Sequence, residues 1–131
     1  MRRLDQNVWV APQIAIADLE HAAAQGITVM VNNRPDGEDV GQPTSADMQA
    51  AAQAVGLDYI HAPVMGMPSP DVVSKVATVL AQDTPVLLYC RSGTRSTIAW
   101  ALAMRSLGRG EPDELRETAA NAGYDLSRLP L

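Results

Sequence analysis

One cysteine in 131 residues leaves no partner for an internal disulfide and no Cys pair of the kind structural zinc uses. Neither a metal nor a cofactor is therefore expected, and a reducing, cytoplasmic compartment is the simplest setting. Runs of Lys or Arg are missing too. Ten basic residues face fifteen acidic ones, giving a formal charge of −5, and an acidic surface argues against nucleic acid and anionic membranes as partners. No apolar run approaches membrane-spanning length, and the basic start Met1-Arg2-Arg3 is followed by no apolar segment of signal-peptide length, so export is not expected. No repeat, low-complexity tract or linker interrupts the chain, which reads as one domain over residues 1–131, long enough to bury one core.

What is there centres on that cysteine. Cys90 opens the run Cys90-Arg91-Ser92-Gly93-Thr94-Arg95-Ser96 directly after the apolar stretch Val86-Leu87-Leu88-Tyr89. The apolar stretch reads as a buried strand, and Ser96 to Leu107 as a helix, so the residues between make a tight strand-to-helix turn. Unpaired amides and the positive end of the helix dipole favour negative charge there, on a bound oxyanion and on the sulfur itself. Gly93 lets the backbone approach a ligand closely. Arg95, at the end of the run, is placed to close a planar fork over an anion, whereas Arg91 sits toward the rim. Ser92, Thr94 and Ser96 add hydroxyls. A buried structural cysteine would not explain two arginines, a glycine and three hydroxyls in the next six positions.

The rest of the chain alternates. Val8-Trp9-Val10, Ile27–Val31, Tyr59–Val64 and Val86–Tyr89 read as strands. Helices are expected over Asp18–Gln25, from a cap at Thr44 or Ser45 to Val55, from Ser69-Pro70 to about Gln82, from Ser96 to Leu107, and from Pro112 to Gly123. This is an α/β pattern: a mostly parallel sheet of four to five strands flanked by helices. In such sheets ligands sit at the carboxyl ends of the strands, where Asn32-Asn33-Arg34, Met65-Gly66-Met67 and Cys90 can ring one pocket. Arg34 and Asp36 are then candidates for substrate contact or proton transfer, although Pro35-Asp36-Gly37 is also a plain turn signal. Asp71 is another candidate acid, and its place in the first turn of a helix is explained by the dipole alone. His21 and His61 read as packed or solvated histidines, and Trp9 and Trp100 as core.

The Cys loop resembles that of the rhodanese-type sulfurtransferases. It is also similar to the loop of the cysteine-dependent protein phosphatases, in which five residues separate Cys from Arg; here four separate Cys90 from Arg95. The segments from Ile27 to Glu38, Gly41-Gln42-Pro43, Tyr59 to Val64, the Cys loop and Ala122-Gly123-Tyr124-Asp125-Leu126 together resemble the phosphatase-like domain of the beta-lactamase hydrolase-like proteins. That resemblance spans nearly the whole chain and implies a protein tyrosine phosphatase-like fold. It carries both a phosphatase and a sulfurtransferase description. In that family the domain can be fused to a metallo-hydrolase-like sulfur dioxygenase domain, which implies a separate sulfur-metabolism enzyme as a partner here.

Two reactions and one non-catalytic role compete. In sulfur transfer, Cys90 takes the outer sulfur of a small sulfur-containing donor, becomes a persulfide and hands that sulfur to a thiol acceptor, with no general acid required. In phosphate hydrolysis of a phosphorylated substrate, Cys90 attacks phosphorus, Arg95 holds the oxygens and a carboxylic acid protonates the leaving group. The segment Val64-Met65-Gly66-Met67-Pro68-Ser69, where such an acid is expected, carries none, and Asp36, Glu38 or Asp71 would serve only if folded inward. The short loop and the missing acid together favour sulfur transfer. The third reading is an anion- or persulfide-binding module without turnover.

Overall fold

Side-chain alternation along three short strands decides the layering. In the computed structural model, which describes residues 1–131, Val8 and Val10, Val29 and Val31, and Val86 and Leu88 face one side of a sheet. Trp9 and Ala11, Met30, and Leu87 and Tyr89 face the other. Both faces are covered, which is why these strands read as continuous apolar runs rather than alternating ones.

The sheet has five strands: β1 (Arg2–Arg3), β2 (Val8–Ala11), β3 (Val29–Asn32), β4 (Asp58–His61) and β5 (Val86–Tyr89), in the spatial order β1-β2-β5-β3-β4. β2, β5, β3 and β4 run parallel, and β1 pairs antiparallel with β2 at the edge. The mostly parallel sheet expected from the pattern is thus present, with an antiparallel edge that the pattern did not reveal. On one face lie α3 (Pro70–Leu80), α4 (Thr94–Ser106) and α5 (Pro112–Asn121), burying a cluster of 23 residues around Trp100, Val76 and Leu88. On the other lie a 3-10 turn over Ile16–Asp18, α1 (Leu19–Ala24) and α2 (Ser45–Ala54), with a smaller cluster of 10 around Leu19, Met30 and Met48.

The helices start where side-chain acceptors meet orphan amides. The Thr44 hydroxyl accepts from the Asp47 amide at 3.1 Å, and the Ser69 hydroxyl from the Val72 amide at 3.2 Å with Pro70 in the first turn. Two expectations are corrected. α4 begins two residues earlier than Ser96, at Thr94, because Gly93 takes φ 95° and turns the chain straight into the helix. Trp9 is half-buried rather than core: it stands on the thinner face with the Arg3 guanidinium 4.9 Å from its ring centroid. Trp100 is core, at 1% exposure.

β5 is flanked by strands on both sides and by helices on both faces, so its side chains have nowhere to relax. Leu88→Ala should cost about 2–5 kcal/mol, read as a fall in the denaturation midpoint at unchanged m-value; a loss below 0.5 kcal/mol would mean that the larger core tolerates collapse at its centre.

Candidate active site

Cys90 follows the last residue of β5, and its amide still reaches the Ala11 carbonyl of β2 at 3.4 Å. The next carbonyl, of Arg91, accepts from the Gln13 amide at 3.2 Å. The chain then bends at Gly93, whose amide donates to Cys90 Sγ at 3.1 Å. The amides of Arg91, Ser92, Arg95 and Ser96 carry no intramolecular acceptor. A sulfur and a set of free N–H groups thus share the start of a thirteen-residue helix, an arrangement that favours anions.

Local hydrogen bonds fix this loop. Thr97 Oγ1 donates to the Gly93 carbonyl at 2.8 Å, and the Ser92 hydroxyl links the Thr94 hydroxyl and amide. Ser96 Oγ donates at 2.8 Å to Asn33 Oδ1, whose Nδ2 in turn donates to the Ala62 carbonyl at 2.9 Å. Both side chains are fully buried, so Asn33 ties the Cys loop to the ends of β3 and β4. Tyr124 closes the loop from the C-terminal segment, its hydroxyl donating to the Ser92 carbonyl at 3.2 Å. Burial, and then the charge of Cys90, push the Tyr124 hydroxyl pKa up. Its ring stands where a side chain at position 93 would go: a Cβ there would lie 2.8 Å from Tyr124 Cζ.

The charges form one network. The Glu38 carboxylate accepts both terminal nitrogens of Arg95, at 2.7 and 2.8 Å, and Arg34 Nε at 2.9 Å. Arg95 Nη1 also donates to the Val64 carbonyl at 2.7 Å. Arg34, only 3% exposed, spends its remaining donors on Asp39 at 2.6 Å and Gln13 at 3.1 Å. Arg91 is paired with Asp39 at 3.3 Å, its side chain 66% exposed at the rim against 20% for Arg95. The hydrogen bonds from Arg95 hold the Glu38 carboxyl at about 2 against an ordinary 4.5; partial burial opposes this, and Arg34 assists. Glu38 and then Cys90 raise the pKa of Arg95.

Of the residues singled out from sequence, the structure gathers Cys90, Arg91, Ser92, Gly93, Thr94, Arg95, Ser96 and Arg34 into this network. Arg34 reaches it from beneath, as the support of Glu38 and Asp39. Asp36 Oδ1 accepts the Ser45 amide at 2.7 Å, at the start of α2. Asp71 is exposed and pairs with Lys75 along α3 at 3.2 Å, the pattern of a helix-surface pair. His61 Nε2 donates to the Arg34 carbonyl at 2.9 Å, a packed histidine. Asn33 entered the sequence reading only as part of the segment Asn32-Asn33-Arg34 at the pocket, with nothing to mark its buried tie to Ser96. Asp39 and Tyr124 were not singled out, although Tyr124 lies in the segment Ala122–Leu126 already noted for its family resemblance. No cluster of His, Cys, Asp and Glu suited to a metal ion is present.

The whole arrangement, a five-stranded, mostly parallel sheet flanked by helices with the Cys loop at its carboxyl edge, is the protein tyrosine phosphatase-like fold. Kinase associated phosphatase has it: the two superpose with a TM-score of 0.73 at 16% identity, over 88% of this chain and 74% of that one. A protein of Neisseria meningitidis z2491, proposed to be a phosphatase, is more similar, with a TM-score of 0.81 and 33% identity over 95% of this chain and 89% of its own. The family profile of the beta-lactamase hydrolase-like protein, phosphatase-like domain, matches residues 1–107. The chain belongs to that family. A beta-lactamase hydrolase-like protein of Agrobacterium fabrum is 32% identical over 126 residues, which are 95% of this chain and 29% of that protein; the chain thus spans less than a third of this relative's length. No helix is long and apolar enough to cross a membrane.

Two predictions follow from the geometry. A side chain at position 93 must adopt positive φ and overlap Tyr124, so Gly93→Ala should destabilise by at least about 1–3 kcal/mol and weaken phosphate binding, measured by chemical denaturation and calorimetry. Wild-type stability in that variant would refute the placement of Tyr124. The lowered carboxyl of Glu38 predicts stability relative to Glu38→Gln that is fully present above pH 4.5 and is lost as pH falls toward about 2. The pair is partly solvated, so the difference in melting temperature should be modest and should shrink in high salt; a difference independent of both pH and salt would remove the ion-pair account.

Proposed function

We propose that the domain hydrolyses phosphomonoesters through a phospho-enzyme on Cys90. What carries the reading is the Gly93 amide directed at Cys90 Sγ, with four further amides of the loop free and Arg95 beside it. Cys90 thiolate attacks phosphorus, an S–P bond forms and the bond to the leaving oxygen breaks. Water then attacks the phosphocysteine, releasing inorganic phosphate and the thiolate. The amides and the Arg95 N–H groups that Glu38 and Val64 leave free, on Nε and Nη2, stabilise the equatorial oxygens. The family's phosphatase-like description and the fold neighbours support this reaction over sulfur transfer, which the short loop and the missing acid favour in the sequence.

The carboxylates shape which esters can react. Glu38 is held ionised by two guanidiniums, so it brings no proton to a departing oxygen at neutral pH. One oxygen of Asp36 is engaged by the Ser45 amide. Substrates whose leaving group departs as a stable anion are therefore preferred. A second reading, sulfur transfer from a thiosulfate-like donor to a thiol, draws on the same fact: the donor's S–S bond breaks as Cys90 attacks, sulfite leaves without a proton, and the four-residue spacing makes a smaller cradle.

Wild-type protein should turn over p-nitrophenyl phosphate, and Cys90→Ser should abolish it. Arg95→Lys should not restore what Arg95→Ala loses, because a point charge lacks the fork. Phosphoserine should react slower by about 10²–10⁴-fold, the typical worth of a general acid. Comparable rates on both esters would reveal an acid and refute the carboxylate assignment. A stable persulfide on Cys90 after thiosulfate, by mass spectrometry, with no phosphatase turnover, would replace the first reading by the second.

A further inference from the structure

The peptide unit between Ser92 and Gly93 is bonded at both ends. Its N–H donates to Cys90 Sγ at 3.1 Å, and its carbonyl accepts the Tyr124 hydroxyl at 3.2 Å. A trans peptide is planar with its N–H and C=O opposed, so whatever holds the carbonyl aims the N–H. No group of the loop itself holds it: the Ser92 carbonyl accepts no other hydrogen bond. Gly93 stands at φ 95° and tolerates either sign of φ, so a rotation of this one plane is open to the chain and would turn the carbonyl toward the sulfur. Tyr124 itself is firmly mounted. Gly123, at φ 95°, ends α5 in a Schellman stop, its amide donating to the Ala120 carbonyl at 3.0 Å and the Tyr124 amide to the Ala119 carbonyl at 2.9 Å. Ala122 and Leu126 on either side are buried in the larger cluster. Burial, and then Cys90, raise the pKa of the Tyr124 hydroxyl, which keeps it a donor. Tyr124 also lies outside residues 1–107, the part of the chain that the family profile matches.

We infer that Tyr124 is a positioning residue for the nucleophile: through the Ser92–Gly93 peptide, its hydroxyl keeps an N–H on the Cys90 sulfur and a carbonyl off it, and so supports the thiolate that attacks. Hydrogen bonds at the two ends of one peptide polarise it in the same sense, so the donor to sulfur is strengthened as well as aimed. The free amides of Arg91, Ser92, Arg95 and Ser96 belong to other peptide planes. Tyr124 therefore acts on the sulfur and not on the cradle for the oxyanion. This role rests on Cys90 being the nucleophile, as proposed above, whichever bond the thiolate attacks.

Tyr124→Phe keeps the ring over Gly93 and removes only the donor, and circular dichroism checks that the fold is kept. In that variant the rate of Cys90 alkylation by iodoacetamide at neutral pH should fall about fivefold or more, the worth of one hydrogen bond. The kcat for p-nitrophenyl phosphate should fall with it, while KM stays within about twofold. Phosphate binding is the control. In the Cys90→Ser protein, where no sulfur is left to support, adding Tyr124→Phe should leave the dissociation constant of inorganic phosphate, by calorimetry, within about twofold. Alkylation that is unchanged or faster in Tyr124→Phe overturns the inference. Slower alkylation with phosphate affinity weakened by as much would mean that the whole loop has loosened, and overturns it too. Wild-type protein that alkylates, responds to Tyr124→Phe as expected and yet turns over no phosphate ester would remove the phosphatase reading and leave the positioning role standing.

Discussion

β5 is the central strand of the sheet, lying between the parallel strands β2 and β3 with all of its residues buried. Its carboxyl end is therefore surrounded by the ends of other strands, and the first residue free of the ladder on that side is Cys90. Everything at the site hangs from this placement: Gln13 comes from just beyond β2, Asn33 from just beyond β3, Val64 from beyond β4, and each bonds to the Cys loop or to the arginine at its end. The helix that follows β5 supplies the free amides, and the buried Asn33–Ser96 bond locks that helix start to the neighbouring strand. Lengthening the loop would require giving up one of these ties.

The electrostatics run against the protein as a whole. The chain carries −5 overall, yet at the Cys loop three guanidiniums, Arg34, Arg91 and Arg95, face two carboxylates, Glu38 and Asp39, leaving one positive charge. The carboxylates keep Arg34 and Arg95 from repelling each other and hold the Arg95 fork in one orientation. An incoming oxyanion meets a local positive field inside an acidic surface, which discourages polyanions from binding elsewhere.

Much of this could be read from the chain. Apolar strands, the Ser69-Pro70 and Thr44 caps and the strand–Cys–Gly–helix order predict local structure from local chemistry, and the expected elements formed with ends within two residues of expectation, except that the strand expected over Tyr59–Val64 ends three residues early at His61. β1 escaped because two arginines at an edge show no periodicity, and their pairing is legible only once β2 is placed. Arg34 looked like a substrate ligand because its loop faces the right edge of the sheet; that Glu38 would reach Arg95, 57 residues away, is a tertiary fact. The same limit applies to function. Loop length argued for sulfur transfer, because spacing is visible in sequence, whereas the family's phosphatase description and the resemblance of the whole fold are not spacing facts.

The two apolar clusters are unequal, 23 residues on one side of the sheet and 10 on the other, and the charge network straddles them. Cys90, Arg91 and Arg95 run into α4 on the thick side, whereas Arg34, Glu38 and Asp39 run into α2 on the thin one. Because local opening follows the density of buried contacts, amides of α1 and α2 should exchange with solvent before those of α4. Brief fluctuations then loosen the acidic half of the network while the sulfur and its amides stay anchored, so the protein can uncover the buried Cys90 sulfur without unmaking its loop.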